Sequence, residues 1–405
     1  GIVNKNNLEV FPMKQKIITF VVLALLVLLS ACGSNKKVKA PVEPVRNPLI
    51  LAHSAAAKGT EAYNAESYTE AISAFTEAIS LFNEAAPTAS PADSIAESIE
   101  KMNLNIAKSY IELANESMDL NSYDEALDYY NKALNVYQSL TPKLITQEEL
   151  QQNIIGLYNN MAITAKQAGK FEEALTYYDQ ILKLTPNDAD ILYAKFYVLR
   201  DNIKDDNRAY AVLIDYAELT QDAKAFINVA DSYMEKGNLS EAGKYYQKAL
   251  AIEPGIDVYR RLANYYNKLN DYNNANLYLQ KVAESNPEPS ELAQIYAMMA
   301  KNYEELKDRK NMVEYYEKSL SIERNPTLAL LLASYYNSQK NYAKVISNAS
   351  ITLSIDPKNA DALMLRGVAY YQTKNYSAAK ADLEKVQNDP KYGTQAKNLL
   401  KNIPK

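Results

Sequence analysis

The sequence predicts an all-α chain built as a solenoid of about nine helix-turn-helix units, and three observations carry that reading. The segment Glu125-Ala126-Leu127-Asp128-Tyr129-Tyr130-Asn131-Lys132-Ala133-Leu134 returns in kind at Glu173 to Leu182 and again at Glu241 to Leu250. Glycine is scarce, 10 in 405 residues, where an ordinary chain carries ~7%, which disfavours folds that need glycine-rich phosphate or dinucleotide loops. Tryptophan is absent and phenylalanine numbers 7, yet tyrosine reaches 33. Tyrosine suits half-buried helix faces, so the bias points to many shallow packing layers, and arrays grow by stacking such layers.

The elements follow in order. Met13-Lys14-Gln15-Lys16 leads into an apolar run from Ile17 to Leu29 and then Ser30-Ala31-Cys32, the three-part layout of a secretory signal. A run of this length makes about 20 Å of helix at ~1.5 Å per residue, short of the ~30 Å hydrocarbon core. Leu29-Ser30-Ala31-Cys32 resembles the lipobox of bacterial lipoproteins. That resemblance implies cleavage before Cys32 and lipidation of its thiol and new N-terminus, with several acyl chains (palmitate among them) where one alone would hold only marginally. Residues 1–12 are then an upstream extension, 13–31 the signal peptide, and 32–48 the lipidated cysteine with a flexible tether. Gly33 to Pro48 carries three prolines and three lysines and little to bury, and could reach ~50 Å extended.

From residue 49 to 390 the repeat takes over. The small or apolar residue that opens each second helix, its anchor, falls at Ala71, Ala126, Ala174, Ala209, Ala242, Ala275, Met312, Val345 and Ala379. Successive anchors lie 55 and 48 residues apart at first and then 33 to 37. In the unit Phe226 to Pro254, Phe226, Val229, Ala230 and Tyr233 share one helical face, and small Ala230 lets the partner helix approach. Gly237-Asn238 supplies the turn, Ala242, Tyr246 and Ala249 repeat the arrangement, and Pro254 ends the unit because it cannot continue the helix. Alanine, an aromatic four on, a small residue three further and a proline near the end resemble the tetratricopeptide repeat, a helix-turn-helix unit of ~34 residues. The resemblance implies a right-handed superhelical solenoid of about nine such units. Its weakest repeat is about 190–222, where Asn202 to Asn207 replaces the turn and Leu213 stands for the aromatic. The long early spacings predict extra helical turns, with linking loops at Pro87 to Ser94 and Thr141 to Thr146. Thr394 to Asn402 reads as a short closing helix in a C-terminal capping segment, 391–405.

Enzyme chemistry finds little to work with. One histidine, His53, and one cysteine, Cys32, exclude a HExxH zinc helix, a Cys/His zinc cluster and an internal disulfide. Phosphate loops and the nucleophile elbow are missing. Glu304-Glu305 and Asp205-Asp206 read as solvated faces, Asp201 to Asn207 lacks the central glycine and terminal glutamate of a calcium loop, and His53 has no second ligand or triad partner in view. No enzyme activity, cofactor or metal is therefore expected. With 44 basic against 49 acidic residues the net charge is −5, which gives no electrostatic footprint for nucleic acid.

What remains is surface. In tetratricopeptide arrays the first helices line a concave groove that holds partner segments, and that resemblance implies two groove sets here. Lys224, Asn228, Asp231, Arg260, Arg261, Asn264, Asn267 and Lys301 form a polar set, whose plainer reading is a solvated wall. Met298, Leu330, Leu331, Met364, Leu365 and Val368 form an apolar set, whose plainer reading is burial between tightly wound units. Arg260 and Asn264 have the first spacing of a chaperone-tail carboxylate clamp, but Met298, Thr327 and Leu331 leave the clamp incomplete. The expectation is a non-enzymatic, membrane-anchored scaffold or adaptor for proteins or peptides in cell-envelope assembly or secretion. It would be lipid-anchored to the outer membrane, periplasmic or surface-facing, or to the outer face of the plasma membrane where that is the only one. The alternative is a lipid-anchored glycan- or nutrient-binding helical-repeat protein, which the lack of tryptophan disfavours. Cys32→Ala tests the anchor: membrane fractionation should find the variant unprocessed or mis-sorted, and a signal-free form that stays with membranes would contradict lipidation.

Overall fold

The computed structural model describes residues 46–91 and 94–404, so the signal run, Cys32 and most of the tether lie outside the described residues. The described residues form nineteen α-helices with no strand. None of these helices is long and apolar enough to cross a membrane. The first helices of the units are α1 (Pro48–Asn64), α3 (Ile95–Asp119), α5 (Gln147–Gln167), α7 (Ala189–Tyr197), α9 (Ala223–Glu235), α11 (Ile256–Lys268), α13 (Pro289–Glu305), α15 (Pro326–Ser338) and α17 (Ala360–Gln372). Their partners are α2 (Tyr68–Ala85), α4 (Tyr123–Ser139), α6 (Phe171–Leu184), α8 (Asp206–Thr220), α10 (Leu239–Ile252), α12 (Tyr272–Glu284), α14 (Arg309–Ile322), α16 (Tyr342–Ile355) and α18 (Tyr376–Val386), and α19 (Gly393–Lys401) closes the array. Each first helix packs on its own second helix, and each second helix on the next unit. That is the solenoid the repeat predicts. The nine anchors fall one to each second helix and every one is buried. The extra length also lies where the early spacings put it, since α1 to α5 run from 17 to 25 residues while α9 to α12 have 13 or 14.

One turn chemistry recurs nine times. Five residues before each anchor the backbone is left-handed, at Glu66, Asn121, Gly169, Lys204, Gly237, Asn270, Lys307, Lys340 and Lys374, with φ between 57 and 75 degrees. In eight units the next amide closes a bond back across the turn, as from Asn238 N to the Tyr233 carbonyl and from Asn341 N to the Tyr336 carbonyl. This satisfies carbonyls that the helix end would orphan. The donor residue then starts the second helix, and in six units its side-chain oxygen accepts a first-turn N–H: Asp205, Asn238, Asp271, Asp308, Asn341 and Asn375. The unit around 190–222 departs by one residue. Val198–Ile203 is a π-helical turn, so Asp205 N reaches back to the Leu199 carbonyl. Asn202 to Asn207 therefore does not replace the turn; it finishes a widened helix, turns at Lys204 and caps α8 with Asp205. Leu213, in the aromatic slot, is buried.

The tyrosines have a common use. Tyr245 lies between Phe226 and Tyr233, at 6.1 and 5.7 Å between ring centres. Tyr278 sits likewise between Tyr259 and Tyr266, and Tyr315 between Tyr296 and Tyr303. In each unit two aromatics seven residues apart on the first helix grip one from the second, and Lys248, Lys281 or Lys318 lays its amine over the same rings. Between those aromatics a small residue twelve before the anchor lets the helices close: Ala230, Ala263, Ala300 and Ala333 are buried, and Gly367 is too. The linker after α4 has its own device. The buried Glu100 carboxylate accepts the backbone N–H groups of Lys143, Leu144 and Ile145 at 2.6, 2.8 and 3.3 Å, which ties the loop before α5 to α3.

A left-handed residue with a Cβ costs ~1–2 kcal/mol, against ~0.5–1 kcal/mol of extra chain entropy that glycine loses on folding. Lys307→Gly and Lys340→Gly are therefore expected to stabilise the protein by up to ~1 kcal/mol each, read as a higher urea midpoint at unchanged slope. A lower midpoint would show that the lysine stems contribute more than the strain removes.

Candidate functional site

Consecutive first helices are joined by side chains, and these joints define the surface that the sequence singled out. Arg261 on α11 places Nε 2.9 Å from the Asp231 carboxylate on α9. Asp231 also accepts the Tyr246 hydroxyl at 2.5 Å. Burial, together with that carboxylate, pushes the Tyr246 phenol far above its ordinary range. Arg260 reaches the other way, 2.6 Å from Glu291 on α13. Both arginines are thus engaged between units: the internal pairing with Asp231 that competes with a partner is formed by Arg261, and Arg260 pairs with Glu291 rather than with Asp257. Partly exposed pairs of this kind contribute modestly, ~0–1 kcal/mol.

Four others of the polar set are open. Lys224, Asn228, Asn264 and Lys301 are exposed, and among the described residues their side chains make no hydrogen bond or ion pair. They come from α9, α11 and α13, so the row crosses three units. The apolar set does not form one open patch. Met364 is 4% exposed and belongs to the core. Leu330, Leu365 and Val368 pack half-buried against the same cluster, and Leu331 against its neighbour. Contact of α15 with α17 as well as α16 draws these side chains inward, which corrects their reading as an exposed patch. Met298 alone stays exposed, at 44%.

Met298 and Lys301 instead join a cleft of about 380 Å³ with Asn267, Tyr272, Asn302 and Glu305. Met298, Lys301, Asn302 and Glu305 are spaced i, i+3, i+4, i+7 and so share one face of α13. Asn267 comes from the last turn of α11 and Tyr272 from the start of α12. Beneath them lies a buried amide pair: Asn302 Nδ2 donates to Asn276 Oδ1 at 2.8 Å, and Asn276 Nδ2 to the Met299 carbonyl at 3.5 Å. Asn267 Oδ1 is buried and has no hydrogen-bond partner. Such an atom costs ~1–3 kcal/mol when nothing satisfies it. Sequence reading found three of these six lining residues. The helical spacing from Met298 to Glu305 was the signal for two more, and nothing in the sequence marked Tyr272.

Other chemistry does not assemble. Among the described residues no three His, Cys, Asp or Glu side chains gather as a metal site, and His53 packs edge-on against Phe82, 5.2 Å between ring centres.

The fold and this surface define a helical-repeat array whose outward chemistry is a row of polar side chains on successive first helices. Profiles of the tetratricopeptide repeat match residues 107–139, 156–188, 223–256, 256–289, 293–326 and 337–392. The chain belongs to the tetratricopeptide-repeat family. The unit with the π-helical turn falls between matches. No curated protein matches the sequence. Solved structures resemble parts of it: YrrB, described as a TPR protein with an unusual peptide-binding site, is 21% identical over 46% of this chain and 97% of its own, with a TM-score of 0.34. The C-terminal part of a TPR repeat-containing protein from Cytophaga hutchinsonii is 19% identical over 62% and 98%, with a TM-score of 0.39. Pseudomonas aeruginosa PilF is 16% identical over 61% and 97%, with a TM-score of 0.29.

Proposed function

We propose that this protein is a non-enzymatic scaffold that holds a protein or peptide segment along the first helices of its central units. The observation that carries the reading is the row Lys224, Asn228, Asn264 and Lys301. These groups stand on three successive helices without internal partners, while neighbouring charges of the same helices are paired. Amides and ammonium groups in a row can hydrogen-bond the backbone and carboxylates of an extended chain, and a solenoid holds them in fixed register. Presentation from a membrane, through a lipid on Cys32 and the 32–48 tether, is the second part of the proposal, with a role in cell-envelope assembly or secretion. The lipobox resemblance of Leu29 to Cys32 supports it.

The glycan-binding alternative gains no support from the aromatics, because the rings of the central units face one another or a lysine amine.

A photo-crosslinking amino acid tests the groove. Placed at Asn264 on α11 in the membrane-bound protein, it should give discrete protein adducts; at Leu277, 50% exposed on the second helix α12, it should give none. Adducts from Leu277 with none from Asn264 would move the partner surface to the second helices.

A further inference from the structure

The two ends of the array are finished differently. At the C-terminal end α19 exposes Thr394, Gln395, Lys397, Asn398 and Lys401, the polar outer face that a terminal repeat needs. At the other end α1 opens with Pro48-Leu49-Ile50-Leu51 and carries no Asp, Glu, Lys or Arg from Pro48 to Ala57. Ile50 is 66% exposed and Leu51 40%. The register shows where they point. Both α1 and α13 start with a proline 23 residues before the anchor. Ile50 therefore holds the slot of Glu291, whose carboxylate reaches back to Arg260 in the preceding unit. Among the described residues α1 has no preceding unit, so Ile50 faces out of the array where Glu291 finds a partner.

The backbone of this turn is also finished. Pro48 has no N–H, Asn47 Oδ1 accepts those of Leu49 and Ile50 at 3.0 and 3.3 Å, and the Asn47 carbonyl accepts that of Leu51 at 3.2 Å. The carboxylate that meets this end, Glu84, is paired with Arg46 at 3.3 Å. The turn can leave water without an unmet amide.

Size and charge then choose what covers it. The outer stripe runs on from Ile50 through Ser54, Ala57, Glu61 and Asn64, so only its first turn is strongly apolar. A stable contact with a second copy takes about 800 Å² on each side, far more than two aliphatic side chains offer. The sequence entering α1 carries Lys36, Lys37 and Lys39 against the one acid Glu43; a second copy would bring the same charges, while anionic headgroups attract them. A lipid on Cys32 would hold this turn within ~20 Å of the bilayer for a coiled tether and ~50 Å for an extended one, and at that distance a weak contact is enough. We propose that Ile50 and Leu51 enter the boundary between headgroups and acyl chains, so that the first unit rests on the bilayer and the later units are presented away from it. The proposal rests on the lipid-anchor part of the reading above and adds the face of the array that meets the lipid.

The chain contains no tryptophan, which makes a single one a clean reporter. Ile50→Trp is made in the full lipidated chain and reconstituted in vesicles of phosphatidylcholine and phosphatidylglycerol whose acyl chains carry bromine near the glycerol end. Its emission should shift to the blue on reconstitution and be quenched by the brominated lipid, and adding Leu51→Asp should weaken that quenching. Ile355→Trp, at a site 50% exposed on α16, controls for the affinity of tryptophan itself for the interface and should stay unquenched. A vesicle-bound Ile50→Trp protein that is neither shifted nor quenched would overturn the contact and leave the anchor standing. A blue shift already present without vesicles would overturn it in favour of a cover from residues 1–45, and one that grows with protein concentration in favour of a second copy. Protein that does not stay with the vesicles would overturn anchor and contact together.

Discussion

The structure depends on close approach between helices at two small slots, the anchor of each second helix and the residue twelve before it on the first. Ala230 with Ala242, Ala300 with Met312 and Ala333 with Val345 are all buried. Where glycine serves, the space is tighter still: a Cβ on Gly367 would stand 3.0 Å from Leu383, and one on Gly59 would overlap the Phe75 ring. Everything larger is arranged around these contacts. The aromatics flank the small slots seven residues apart, and their rings fill the wedges that close approach leaves. No unit can bury its faces alone, so each is stable only through the next.

Such an array has a simple way to separate structure from surface. Side chains that point along the solenoid meet the neighbouring unit and are consumed there, as Arg261 is by Asp231 and Arg260 by Glu291. In the last unit a half-buried arginine, Arg366, meets buried Asp382 at 2.7 Å, in the slots held by Val229, Leu262 and Met299 and by Tyr245, Tyr278 and Tyr315 in the central units. Asn228 stands in the repeat slot of Arg261, and Asn264 and Lys301 in that of Asp231, yet none of the three has a partner among the described residues and they remain open. The groove is what is left after the units have been joined.

Local chemistry with a short period was legible in the sequence, and contacts across units were not. All nine anchors could be found because the small slot, the turn and the cap lie within a few residues of each other. The turn at Lys204 was misread because a π-helical turn shifts the pattern by one residue, and nothing in Asn202 to Asn207 announces it. Which carboxylates Arg260 and Arg261 meet was not fixed locally, since their partners lie about thirty residues away in neighbouring units. Met364 was placed on the groove with Leu365 and Val368, but α15 lies against α17 and encloses it, and the same slot is already buried at Ile227. The Asn267 acceptor could not be read at all, as an orphan is defined by everything around it.

The central claim is that stability passes from unit to unit through the small slots, and hydrogen exchange on Ala242→Leu measures it most directly. Overpacking a site that is 0% exposed should cost ~1–3 kcal/mol. The account predicts faster exchange in α9 to α12, with α1 to α4 and α17 to α19 near their wild-type protection. Equal loosening at both ends of the chain would contradict it and show one cooperative core.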